Sequence, residues 1–305
     1  MWMPLILLAA TGAAVFMNNL TSARSNLRDQ LVITIPILAG GKAIHLENAG
    51  LFWMPLVAIA VLGAARYMNN LASARSSFRD QLAITRRKHT WIMAWLYIGT
   101  FGSFIGYSAA FPLLIKTQFP EITSNLAFLG ALVGSVARPL GGKLADRIGG
   151  ARVTLWNFVV MGAATVGVLY ALDIHSFPLF LAMFLTLFVT TGIGNGSTYR
   201  MIPAIFRRQA ARSVEGQSAE VQAATMAQAR RTSAAVLGFI GAIGALGGYM
   251  IPRAFGASIK ATGGAATALS CFLVFYGSCI AITWWNYTRT TFLARTVPSL
   301  AKAGI

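Results

Sequence analysis

Acidic residues are scarce in this chain of 305 residues: 8 Asp+Glu stand against 25 Lys+Arg, a formal net charge of +17. Histidines number 3, and charged residues of all kinds make up 11% of the chain. Soluble domains carry about 25%, so there is too little charge here to coat a water-exposed surface. No nucleophile–base pair and no set of metal ligands stands out, so neither an enzyme nor a metal centre or other cofactor is expected. The two cysteines, Cys271 and Cys279, lie eight apart in one apolar segment, a placement that fits packing and offers no disulfide framework. What is abundant is apolar: 56% of the residues are hydrophobic, mean hydropathy is +0.64, and 30 glycines sit among the apolar runs. That composition predicts an all-α, polytopic membrane protein. In a soluble protein the basic excess would suggest nucleic acid. Here it clusters between apolar stretches, so it reads as a cytoplasmic-side bias, and the bilayer rather than nucleic acid is the expected partner.

Six apolar segments are long enough to cross a bilayer at roughly 20 residues per crossing: 91–115, 123–144, 153–172, 178–202, 233–252 and 265–287. A seventh candidate covers 51–70, and no cleavable signal peptide opens the chain. Connections alternate in basic content. Stretch 72–90 holds Arg75, Arg79, Arg86, Arg87 and Lys88; 145–152 holds Arg147 and Arg152; 207–231 holds Arg207, Arg208, Arg212, Arg230 and Arg231; the tail adds Arg289, Arg295 and Lys302. The other side holds Lys116, Arg253 and Lys260. The basic side is predicted to be cytoplasmic, which places the chain in the inner membrane as a multi-pass protein. Trp91, Trp95, Trp284 and Trp285 fall near segment ends, where an aromatic belt would sit.

The first 85 residues contain a duplication. Residues 2–34 match 53–85 at 22 of 33 positions with a period of 51. Two copies are too few for a solenoid. The apolar stretch between them, 31–41, is too short to return the chain across the membrane, so the first copy is expected to be peripheral or poorly inserted. Arg66 replaces Val15 between the copies and reads as a membrane-edge arginine.

Four features inside the segments carry chemistry. Arg138, followed by Pro139, is the main ionisable residue within a span. An arginine at bilayer depth costs at least about 2.5–3.5 kcal/mol on insertion scales, so it persists where it faces a cavity, a counter-charge or an anion, or where it snorkels to the cytoplasmic edge. None of the eight acids (Asp29, Glu47, Asp80, Glu121, Asp146, Asp173, Glu215, Glu220) falls mid-segment in the six spans, and His45, His89 and His175 lie outside them. A mobile anion is then the expected counter-charge, and the planar guanidinium fork suits an oxyanion. Tyr97 and Phe101, at i and i+4, share a helix face, with Gly99, Gly102 and Gly106 beside them. Gly238, Gly241, Gly244 and Gly247 recur every three residues with Gly248 adjacent, a ridge that lets another backbone or a substrate approach closely. Asn195, Ser197 and Thr198 are polar groups among glycines, placed to line a cavity or to bond across helices; Arg200 beyond them reads as interfacial.

Gly142-Lys143-Leu144-Ala145-Asp146-Arg147-Ile148-Gly149 resembles the cytoplasmic loop motif G-x-L-x-D-R-x-G of the major facilitator superfamily. Together with GTFGSFIGYSAAF, Arg138 and the glycine run, the chain resembles that superfamily's nitrate/nitrite porters, whose nitrate signature on helix 11 the glycine run is similar to. The likeness covers about 53–290 and implies the C-terminal six-helix half: 51–71 the end of helix 6, 72–90 the basic cytoplasmic linker, 91–290 helices 7–12, and 291–305 a cytoplasmic tail, with 1–50 a duplicated helix-6/linker-like segment. It implies nitrate and nitrite as transported partners, exchanged by alternating access. Arg138 would be the substrate arginine of this half, Tyr97 and Phe101 would flank the planar anion, Asn195 and Ser197 would line the site, and Gly142, Asp146, Arg147 and Gly149 would form the conformational loop. Helices 1–5 of the family have no counterpart here. The chain is therefore expected to supply one half of a porter, with a separately encoded N-terminal half or a non-transporting remnant as the alternatives.

Overall fold

The computed structural model describes residues 58–67 and 84–289. The first copy of the duplication, most of the basic stretch 72–90 and the tail 291–305 lie outside the described residues. The chain divides into two compact units, 1–75 and 76–305. In the first unit the described part is one short apolar helix, α1 (Ala58–Tyr67), whose Arg66 guanidinium sits 5.8 Å from the Tyr67 ring.

The second unit is all-helical over its described residues and consists of six rods. α2 (Lys88–Gln118) contains a π turn at Ile98–Gly102. α3 (Phe128–Ile148) follows a 3₁₀ turn. α4 (Gly150–Asp173), α5 (Phe177–Ser213), α6 (Ala219–Thr262, interrupted at Leu246) and α7 (Ala266–Thr288, ending in a π turn at Trp284–Thr288) complete it. Each rod satisfies its backbone internally, which hydrocarbon requires. α2, α4, α5, α6 and α7, at 31, 24, 37, 44 and 23 residues, are long and apolar enough to cross a membrane. α3 is equally long, but Arg138, Lys143, Asp146 and Arg147 crowd its second half, so its apolar stretch is shorter than the segment 123–144 implied.

The connections also differ from the expectation. Stretch 145–152 is no loop: α3 runs to Ile148 and α4 starts at Gly150. Gly149 alone makes the reversal at φ 94° and ψ 131°, backbone that side-chain-bearing residues essentially never adopt. Stretch 207–231 is mostly helix. α5 continues to Ser213 and α6 begins at Ala219, leaving 214–218 as the connection. At 1.5 Å per residue α5 is about 55 Å long against a hydrocarbon core of about 30 Å, so its basic end stands beyond the apolar layer and its charges need not stop the helix. The expected segment 233–252 is the middle of α6.

Small residues decide the packing. α5 is the central rod, lying against α3, α4 and α6. At its crossing with α3, Gly192 and Gly196 face the backbone of Gly134, Arg138 and Gly141, so close that a methyl group on either side would collide with main chain. Water-driven burial does not operate between rods in lipid, so this close approach supplies the van der Waals attraction. Away from the glycines, Phe111, Phe180, Phe184 and Phe188 interlock with Tyr107 in a buried aromatic cluster; Phe111 and Phe184 stack at 4.7 Å.

Candidate functional site

The π turn Ile98–Gly102 of α2 follows Tyr97 directly and contains Phe101. Single π turns occur often at functional sites. The two rings remain on one face and stack at 5.0 Å with 27° between planes. Tyr97 is buried and Phe101 half-buried. The Arg138 guanidinium of α3 lies 5.9 Å from the Phe101 ring centroid, within the range of a cation–π contact, and the residue is exposed. The ion pair among the described residues is Arg200–Asp146, with a further contact between His175 and Glu121. Neither involves Arg138.

α6 packs against the rings. A methyl group on Gly244 would come within 2.9 Å of Tyr97 Cδ1 and 3.1 Å of Phe101 Cδ1. One turn on, Gly247 meets Gly102 backbone to backbone: a methyl on Gly247 would stand 2.6 Å from the Gly102 carbonyl, and one on Gly102 would stand 2.9 Å from the Gly244 carbonyl. Gly248 abuts the Ile105 side chain at 2.6 Å by the same measure. Gly238 and Gly241 differ, since nothing lies within 4 Å of a methyl at either. Successive steps of three residues turn 60° short of a full revolution, so the five glycines spiral around α6 instead of forming one ridge.

Asn195 and Ser197 do not share a surface with Arg138. Ser197 is fully buried between α4 and α5; its Oγ donates to the Gly194 carbonyl at 3.1 Å and lies 2.9 Å from Thr154 Oγ1. Asn195 is 1% exposed, and both polar atoms of its amide lack a hydrogen-bond partner. The neighbouring Thr198 Oγ1 is 3.2 Å from Thr100 Oγ1 of the π turn. The Ser197–Thr154 and Thr198–Thr100 contacts join α5 to α4 and to α2, as cross-helix bonds in hydrocarbon do.

Two features escaped the sequence reading. Arg200, expected to be merely interfacial, donates from Nη2 to Asp146 Oδ2 at 2.7 Å and ties α5 to the acidic residue of the motif 142–149. Gly142, Asp146 and Arg147 lie in the last two turns of α3, and Gly149 is the reversal. Halfway along α2 and α7, Tyr276 Oη lies 2.9 Å from Ser103 Oγ and also within hydrogen-bonding reach of Tyr107 Oη. Both tyrosines are buried. No spacing rule links residues 169 apart in sequence; buried tyrosine alone hints that a partner is needed.

A bundle of long apolar rods meeting through glycine, with positive connections on one side and an arginine beside stacked aromatics, defines a multi-pass membrane protein of transporter architecture. The sequence model of the Major Facilitator Superfamily matches residues 30–229, and the chain belongs to that superfamily. It is similar to the protein named "Nitrate/nitrite transporter NarU" of Escherichia coli, with 41% identity over 302 residues, 93% of this chain and 65% of that protein. The protein of the same name from Salmonella typhimurium is 40% identical over 92% of this chain and 64% of its own length. The "Probable nitrate/nitrite antiporter NarK2" of Thermus thermophilus is 35% identical over 81% of this chain and 53% of its own length. The chain thus spans somewhat less than two thirds of the relatives it matches.

Proposed function

We propose that this chain contributes the C-terminal half of a nitrate/nitrite porter in the inner membrane, with α2–α7 as that half's six helices. The supporting observation is the Arg138 guanidinium beside the Tyr97–Phe101 stack, with no acidic residue paired to it among the described residues. A flat monovalent oxyanion matches both parts. The guanidinium donates two bonds to its oxygens, and the ring faces cover its plane. Gly244 admits the rings because it carries no side chain. Ser197 takes a different part from direct binding: buried between α4 and α5, it ties the two rods together through Thr154, while the Asn195 amide is buried without a hydrogen-bond partner.

The transport mode we favour is exchange by alternating access. Glu121, Asp173, Glu215 and Glu220 stand in connections or at rod ends, and Asp146 is engaged by Arg200, so among the described residues proton binding near Arg138 has no carboxylate to use. An anion arriving from one side would replace the one leaving and keep the arginine compensated throughout. The name of one relative, "Probable nitrate/nitrite antiporter NarK2", points the same way.

Nitrate titration of the purified chain by calorimetry tests the site. Arg138→Lys keeps the charge and loses the fork, and is expected to weaken binding about 10- to 100-fold, from charge-assisted bonds worth about 1.5–3 kcal/mol. Binding unchanged in that variant rejects the assignment.

A further inference from the structure

At the basic end of the bundle α5 and the start of α2 bring five basic residues to the same level, beside α6. α5 carries Arg207 and Arg208 directly after Phe206, and the Arg87 guanidinium, at the start of α2, lies 5.7 Å from the Phe206 ring centroid. Arg86 and Lys88 flank Arg87, and all five basic residues are exposed. Trp91, one turn further along α2, is 53% exposed. Its Nε1 donates to the Thr85 carbonyl at 2.7 Å, and its ring stands edge-on to Phe239 of α6 at 5.5 Å. Among the described residues no acid is paired with this group: Asp146 is held by Arg200, and Glu215 and Glu220 sit at and beyond the connection 214–218.

The level of the cluster selects its partner. Arg207 and Arg208 stand 30 and 31 residues after Phe177, where α5 begins. That is about 45 Å along the axis, the depth at which a bilayer of about 40–45 Å ends in headgroups. The tryptophan lies on the membrane side of the arginines, the position of an interfacial aromatic belt. Five positive charges at headgroup depth with an indole toward the acyl chains match an anionic phospholipid better than a soluble anion or a protein. We propose that the junction of α2, α5 and α6 binds an anionic phospholipid headgroup, with Arg87, Arg207 and Arg208 holding the phosphate and Trp91 lying against the upper acyl chain.

The test uses the purified full chain in neutral detergent, titrated with phosphatidylglycerol, phosphatidylcholine or inorganic phosphate. Thermal unfolding and native mass spectrometry are the readouts. Phosphatidylglycerol is expected to remain bound and raise the unfolding midpoint, with little response to the other two. The triple variant Arg87→Gln, Arg207→Gln, Arg208→Gln is expected to lose phosphatidylglycerol affinity on the order of a hundredfold. The control Lys116→Gln, Lys260→Gln, at the opposite end, should retain it. An equal response to phosphatidylcholine, an equal response to phosphate, or undiminished affinity in the triple variant overturns the proposal. Should the triple variant fail to purify, the lipids carried by the unmodified chain decide: enrichment in anionic lipid that high salt removes supports the site, and a composition equal to the bulk membrane overturns it.

Discussion

Gly244 and Gly241 sit three residues apart on α6 and should behave oppositely. A methyl group on Gly244 would press on Tyr97 and Phe101 at 2.9 and 3.1 Å, whereas one on Gly241 would meet nothing within 4 Å. Gly244→Ala must displace the stacked rings and is expected to weaken nitrate binding several-fold. Gly241→Ala, which also gains from alanine's higher helix propensity, should leave binding within twofold and stability unchanged or raised. Parallel calorimetry and thermal unfolding separate the two, and equal effects would remove Gly244 from the site. Tyr276 gives a second residue-level expectation. Tyr276→Phe leaves the ring in the core but strips the bond partner from Ser103 and Tyr107, for a loss of about 1–3 kcal/mol, visible as a lower unfolding midpoint with nitrate affinity retained.

Between elements, the structure depends on two kinds of glycine. Gly149 supplies a backbone conformation: the reversal from α3 to α4 needs φ 94°. Gly149→Ala is expected to cost about 1–3 kcal/mol, and the midpoint of unfolding in detergent measures it. Gly247 supplies space instead. Its methyl would stand 2.6 Å from the Gly102 carbonyl, and backbone cannot swing aside as a side chain can, so Gly247→Ala must separate α6 from the π turn. Over the same crossing it would loosen Phe101 from Gly244, so stability and nitrate binding should fall together. The Arg200–Asp146 pair belongs to this scale too. Both side chains are more than half exposed, so Arg200→Ala should lower stability by no more than about 1 kcal/mol. Its greater effect is expected on exchange rate in vesicles, because the pair joins α5 to the turn between α3 and α4.

For the molecule as a whole, the charge distribution sets the orientation. Arg86, Arg87, Arg207, Arg208, Arg230 and Arg231 lie at one end of the rods, and Lys116 and Lys260 at the other. Cells carrying Glu215→Cys in the connection 214–218, or His175→Cys between α4 and α5, report which end faces out. With both native cysteines replaced, a membrane-impermeant thiol reagent should label position 175 in intact cells and position 215 only after the membrane is opened. The reverse pattern would invert the topology and move the lipid-binding surface to the wrong leaflet.

Much of this was legible along the chain. Six rods coincide with the apolar runs of the sequence, five of them long and apolar enough to cross, because hydrocarbon imposes a length and a polarity on every crossing segment, whatever its neighbours. Arg138, Tyr97 and Phe101 stand out for the same reason: a charge at that depth is expensive, and i, i+4 places two rings on one face. The helical reach of 203–231 was not legible, since polar composition distinguishes water from lipid and not helix from loop. Nor did spacing reveal which glycines pack and which stay open, that Ser197 turns inward, or that Arg200 takes Asp146. Solvation energy is a property of each segment by itself, so the amino-acid order alone determined the class of protein and the number of rods. Close approach between rods depends on how each is rotated about its own axis, and that rotation is set jointly by all its neighbours; only the tertiary structure could decide which residues meet at the arginine.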